Sequence, residues 1–276
     1  MATPQLAHHH LSGALGPILI DVRTSDRTAT RPAVVLVHGF KGFKDWGMFP
    51  GAADRIARAG FTAVSFNFSG SGVDDSGRFA WPDRFGHNTF SAELEDLRRV
   101  LNALASGELG LASTSRFGLV GHSSGGGISI LAAASDSRVA ALVTWAAIAG
   151  VERWPGQHQA WRARGRLDVV NARTGEVLPL YPDVLEDIET HQEALDIPAA
   201  AARLTIPWLL LHGEADASVP PDEARLLIQA AARHPPRVML MEGSGHTFGA
   251  THPLETVTPD LAIVIDETTK WLGRYL

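Results

Sequence analysis

Short apolar runs alternate with helix-patterned segments along most of this chain, and that alternation restricts the fold more than any other feature. Ala33 to His38 reads Ala-Val-Val-Leu-Val-His, a continuous apolar run that suits a strand buried on both faces. Gly16 to Val22, Phe61 to Phe68, Arg116 to Val120, Val139 to Trp145, Ile206 to Leu211 and Arg237 to Met241 read as further strands. Between them lie helical stretches. Pro50 to Ala59 is stopped by Gly60, and Phe90 to Ala105 spaces Leu94, Leu97, Leu101 and Leu104 on one face. Pro221 to Ala232 and Thr258 to Leu272 close the series. This βαβα order predicts an α/β fold, with a mostly parallel sheet and helices on both faces.

The composition fits such a domain. The chain has 276 residues, of which 45% are hydrophobic, so a large core is available to a single domain over 1–276. The net charge of −6 implies no basic face, which argues against nucleic acid as a partner. There are no cysteines, so disulfide and thiol chemistry are excluded. Met1 to Ile20 lacks a basic leader, and its apolar part is broken by Gly13, Gly16 and Pro17. The chain also has no long apolar span, so the expectation is a cytoplasmic protein without a membrane partner. His8-His9-His10 reads as a terminal tail without function. The sequence does not fix the oligomeric state and leaves a homodimer open.

One stretch breaks the rhythm. Ala149 to Leu204 holds Trp154, Trp161, Arg162, Arg164 and Arg166. A hairpin follows, from Leu167–Val170 through a turn at Asn171–Gly175 into Glu176–Leu180, and then an acidic helical segment from Asp183 to Asp196. Residues 149–204 are therefore expected to form a cap insertion over the C-terminal edge of the sheet, where loops bind substrate.

The chemistry centres on Gly121-His122-Ser123-Ser124-Gly125. A strand-like run precedes this G-x-S-x-G motif and a small-residue helix follows it. Such a strand–turn–helix points the serine hydroxyl out of the sheet. Gly126 and Gly127 are poor helix formers, so their presence implies close packing or access beside Ser123. A serine hydroxyl needs a base to become a nucleophile. His246, in the loop after the last strand, is the best candidate, with His252 as rival. The acid that orients such a base is expected earlier in the chain, at Asp216, with Glu214 as rival. Asp216 also suits a turn or helix-cap role. The developing oxyanion needs fixed N–H donors, and the backbone groups of Phe40 and Ser124 are the candidates. Trp81, Trp154, Trp161 and Tyr181 could line a substrate pocket or simply pack the cap.

Together, His38-Gly39-Phe40, Gly121-His122-Ser123-Ser124-Gly125, His212-Gly213 through Asp216 to Val219-Pro220, and Gly243-Ser244-Gly245-His246 resemble the α/β-hydrolase superfamily. Within it the chain is most similar to bacterial carboxylesterases of the cinnamoyl/feruloyl esterase and dienelactone-hydrolase-like groups. The resemblance implies an eight-stranded sheet, a small cap and a Ser123–His246–Asp216 triad acting on a small-molecule ester, with no cofactor or metal. Dienelactone hydrolases proper use a cysteine, which this chain lacks. Amide hydrolysis, acyl transfer to another nucleophile and a non-catalytic binding role are the alternatives that the sequence leaves open.

Overall fold

The computed structural model describes residues 3–172 and 174–276. Arg173, in the turn of the expected hairpin, and the first two residues of the expected leaderless start lie outside them. The strands are β1 (Gln5–Ser12), β2 (Pro17–Thr24), β3 (Ala33–Val37), β4 (Thr62–Asn67), β5 (Phe117–His122), β6 (Val139–Trp145), β7 (Leu167–Val170), β8 (Val177–Leu180), β9 (Trp208–Gly213) and β10 (Arg237–Met241). The helices are α1 (Met48–Arg58), α2 (Pro82–Gly86), α3 (Phe90–Ser106), α4 (Ser124–Ser135), α5 (His158–Arg164), α6 (Pro182–Thr190), α7 (Ile197–Arg203), α8 (Pro221–Ala230) and α9 (Pro259–Tyr275).

Eight strands form one sheet in the order β1-β2-β4-β3-β5-β6-β9-β10. β1 and β2 run antiparallel at one edge, and all pairings from β4 onward are parallel. The side-chain period of two splits β3 between two cores. Val35 and Val37 face the layer that includes α3, α4, α7 and α8. Val34 and Leu36 face the layer of α1 and α9. Thr89 caps α3 by accepting the Ala92 N–H, and Gly107 ends it in the left-handed region.

From β3 the chain moves to β4 on one side, then crosses to β5 on the other. The strand order therefore reverses at β3. In an open α/β sheet, the crevice beyond the carboxyl ends of the strands at such a point is where ligands bind. The loops after β3 and β5 both open into it.

One expectation needs correction. His8-His9-His10 is no loose tail. It lies in β1, paired in register with β2, and His8 Nδ1 sits 2.7 Å from buried Asp21. The segment expected as the cap, 149–204, divides between two apolar clusters. Trp161, Leu178, Leu180, Val184 and Leu185 form one of them with Phe43, Phe79 and Phe85. The last part, Leu195, Ile197, Ala200, Ala201 and Leu204, is buried in the main core instead. Its apolar face has α4 beside it and cannot be spared to the cap.

Candidate active site

Ser123 forms the turn between β5 and α4 with φ 58° and ψ −123°, a strained conformation for a residue with a side chain. The turn is pinned from several sides. The Ser123 N–H donates to the Trp145 carbonyl, and the Ser123 carbonyl accepts from Gly126, Gly127 and Ile148. Gly125 allows α4 to approach β3. A Cβ there would stand 2.2 Å from the His38 carbonyl oxygen. Gly126 is packed as its composition implied, since a Cβ on it would meet Ala147 at 2.5 Å.

The loop after β3 comes up to the same turn. A Cβ on Gly39 would lie 2.7 Å from Ser123 Cβ, so only glycine fits there. Buried His38 fixes the loop's origin. Its Nε2 accepts the Phe68 N–H and its Nδ1–H donates to the Gly39 carbonyl. Burial pushes the pKa of His38 down to about 4, with the Gly39 carbonyl opposing in part, so the ring is neutral. The backbone N–H groups of Phe40 and Ser124 donate to no protein acceptor among the described residues. They are available to an incoming oxygen.

Asp216 lies past the end of β9 in a turn that uses its carboxylate fully. Oδ1 accepts the N–H groups of Ser218 and Val219. Oδ2 lies 2.8 Å from His246 Nδ1 and 3.6 Å from His212 Nε2. Burial opposes ionisation of Asp216, but the bonds from His246, Val219 and Ser218 outweigh it and hold the carboxyl below its ordinary value. An ionised Asp216 places the His246 proton on Nδ1, which leaves Nε2 as a base. Glu214 is exposed, and among the described residues His246 Nδ1 bonds Asp216 instead. His252 serves the loop: its Nδ1 accepts the Gly47 N–H and its ring stacks on Trp46.

Ser123, Ser124, Phe40 and His246 border one cavity of about 360 Å³. The Ser123 hydroxyl has no hydrogen bond to protein among the described residues. Catalytic bonds of this kind often tighten only with substrate. Of the aromatic candidates, Trp154 lines the cavity, edge-on to Phe40. The other three stand outside its lining. Trp161 is buried in the cap and donates to the Leu180 carbonyl. Tyr181 packs on His87 and bonds Asp83. Trp81 lies on the surface under Arg84. Sequence reasoning missed Lys41, Glu93 and Arg153, which also border the cavity. For Glu93 a signal existed, since it precedes Leu97 by four residues on the apolar stripe of α3.

Comparison with known proteins agrees with this architecture. Residues 32–195 match the α/β hydrolase fold family. The chain belongs to that family. It is 24% identical to a monoacylglycerol lipase of Mycolicibacterium smegmatis, across the whole of both proteins. It is 30% identical over 145 residues to an uncharacterised 31.7 kDa protein from the traX–finO intergenic region of Escherichia coli. That match spans 52% of this chain and only 46% of the relative. Among solved structures, a putative hydrolase of Agrobacterium vitis superposes with a TM-score of 0.74 at 20% identity, covering 97% of this chain and 99% of that one. Est1E of Butyrivibrio proteoclasticus, solved with ferulic acid bound, gives 0.71 at 15% identity, covering 96% and 98%. Among the described residues, no helix is long and apolar enough to cross a membrane.

Proposed function

We propose that this protein is a serine hydrolase that cleaves small carboxylic esters through an acyl-enzyme. The observation that carries the reading is the Asp216–His246 pair, whose bond at 2.8 Å turns the free imidazole nitrogen into a base at the cavity that Ser123 borders. Ser123 Oγ attacks the ester carbonyl while His246 Nε2 takes its proton. The carbonyl oxygen gathers negative charge and is held by the Phe40 and Ser124 N–H groups. The tetrahedral adduct collapses, and His246 passes the proton to the departing alkoxide. Water then repeats the sequence on the acyl-serine, which restores Ser123 and releases the acid.

Phe40, Phe90 and Trp154 give the cavity an aromatic wall, and its volume suits a small molecule. An ester with an aryl or short alkyl acyl group fits this lining, and the ferulic acid found in Est1E is a ligand of that shape. The test is a panel of p-nitrophenyl alkanoates and methyl ferulate, run on wild type and Ser123→Ala. Ester turnover that depends on Ser123 is the expected result. Near-normal turnover by the variant, or turnover of aminoacyl amides alone, contradicts it.

A further inference from the structure

The cavity at Ser123 contains an ionisable group for which acyl transfer has no use. Glu93 is only 6% exposed and borders the cavity beside Asn88 and Phe90. Its Oε1 accepts a hydrogen bond from Asn88 Nδ2 at 2.7 Å. Its Oε2 is buried and has no hydrogen-bond partner among the described residues. Among the described residues no cationic side chain pairs with it, and the acidic Asp96 and Asp187 are its charged neighbours. A buried carboxylate in such company is strongly disfavoured. Burial first, and then those two carboxylates, push Glu93 up to about 8 against the Asn88 bond. At neutral pH the side chain is therefore a carboxylic acid whose proton has no acceptor among the described residues. The start of α3 makes no demand on it, because Thr89 already caps the helix.

We infer that Glu93 is a specificity-determining residue that donates a hydrogen bond to a neutral oxygen of the substrate, an ether, hydroxyl or carbonyl remote from the scissile ester. The inference rests on the reading of Ser123 as nucleophile. Oε2 is covered as it stands, but the last torsion of a glutamate is soft, and its rotation exchanges the two oxygens, which brings the protonated one to the position beside Asn88, itself a residue of the cavity wall. Ile148, Leu180 and Val184 make the neighbouring wall apolar, so one polar contact stands out there. A cationic substrate group is disfavoured, since Lys41 and Arg153 border the same cavity. Arg153 is neutralised by Glu223 at 2.7 Å, while Lys41 donates to the Val170 carbonyl.

The test compares p-nitrophenyl esters of straight-chain acids with ω-methoxy acids of equal length, over a series of lengths. Wild type is expected to favour the methoxy ester in kcat/KM by about three- to tenfold at the length that reaches Glu93. Glu93→Leu should bring that ratio to about one, and Glu93→Gln, which keeps an N–H donor, should retain part of it. The wild-type ratio should also fall as pH rises through about 8, while that of Glu93→Gln stays flat. Asp96, Asp187 with its partner His191, Lys41, Arg153 and His246 also face this region, but all are retained in the glutamine variant. The pH comparison therefore decides the matter even if Glu93→Leu fails to fold. No methoxy advantage at any length, or an advantage that survives Glu93→Leu, overturns the inference. So does a preference for ω-ammonio esters, which assigns Glu93 an ionised, cation-binding role. Plain alkyl esters separate this from the parent reading: if wild type turns them over and Ser123→Ala does not, the nucleophile stands whatever Glu93 does.

Discussion

His122 Nε2–H donates to the backbone carbonyl of His246 at 3.0 Å, and the two rings stand 4.6 Å apart. The residue just before the candidate nucleophile thus holds the backbone of the candidate base. Burial, and then the charge of His246, push the pKa of His122 down to about 3, so the ring stays a neutral donor. His122→Phe keeps an aromatic ring and removes the bond. It should lower kcat for p-nitrophenyl butyrate by about tenfold, as expected for one lost positioning hydrogen bond, with KM little changed. Steady-state kinetics beside a thermal melt checks this; an unchanged kcat in a folded variant contradicts it.

Asp216→Asn should leave the fold intact and cost roughly 10³ to 10⁴ in kcat, because an amide no longer enforces the productive tautomer of His246. Glu214→Gln should stay within about twofold of wild type, since Glu214 is exposed and away from the base. The same ester assay on both variants tests whether the structure has chosen correctly between the two carboxylates.

Gly125→Ala should destabilise the protein. Its Cβ would fall 2.2 Å from the His38 carbonyl oxygen and 2.4 Å from that of Val37, both backbone atoms at the end of β3 and the start of the loop that follows it. An overpacked site of this kind costs about 1–3 kcal/mol or more. For a chain of this size that corresponds to a fall in Tm of roughly 3–10 °C, read by a calorimetric or circular-dichroism melt. A variant melting with wild type would contradict this packing of α4 on β3.

Acid should weaken the fold through His38 and His122. Both are held neutral with pKa values of about 4 and about 3, below the ordinary histidine value near 6.5. Between those values the unfolded chain binds protons that the folded chain refuses, so stability is lost as pH falls below about 6.5. Each contributes roughly 2 kcal/mol of loss by pH 4.5. Glu93 acts with the opposite sign. Its raised value makes the folded state the better proton binder, so stability declines as pH rises from about 4.5 towards 8. Urea midpoints from pH 4.5 to 8 should therefore pass through a maximum, and Glu93→Gln should flatten the alkaline side.

The parts of the fold that could be read from sequence are those where local pattern and tertiary environment agree. Ala33 to Val37 is apolar at every position because β3 is covered on both faces, and the elbow at Ser123 carries its geometry in its glycines. β1 was illegible for the opposite reason. His8-His9-His10 has no apolar alternation, and only pairing with β2 makes it a strand. The aromatic residues show a second limit. Trp154 and Trp161 have similar sequence surroundings, yet one walls the cavity and the other fills the cap, a difference set by packing across α5, β8 and α6. Glu93 shows a third. A charge on an apolar stripe looks like a solvated edge until the neighbouring cap residues Leu180 and Val184 are in place around the same cavity.

Ser123 is proposed as the nucleophile, with Asp216 and His246 activating it. The most direct measurement is labelling by a fluorophosphonate probe, with the modified residue mapped by mass spectrometry. Wild type should be modified on Ser123. Asp216→Asn should be labelled more slowly by about the factor it loses in ester turnover, and Ser123→Ala should not be labelled. Modification at another residue, or equal labelling rates in wild type and Asp216→Asn, would contradict the account.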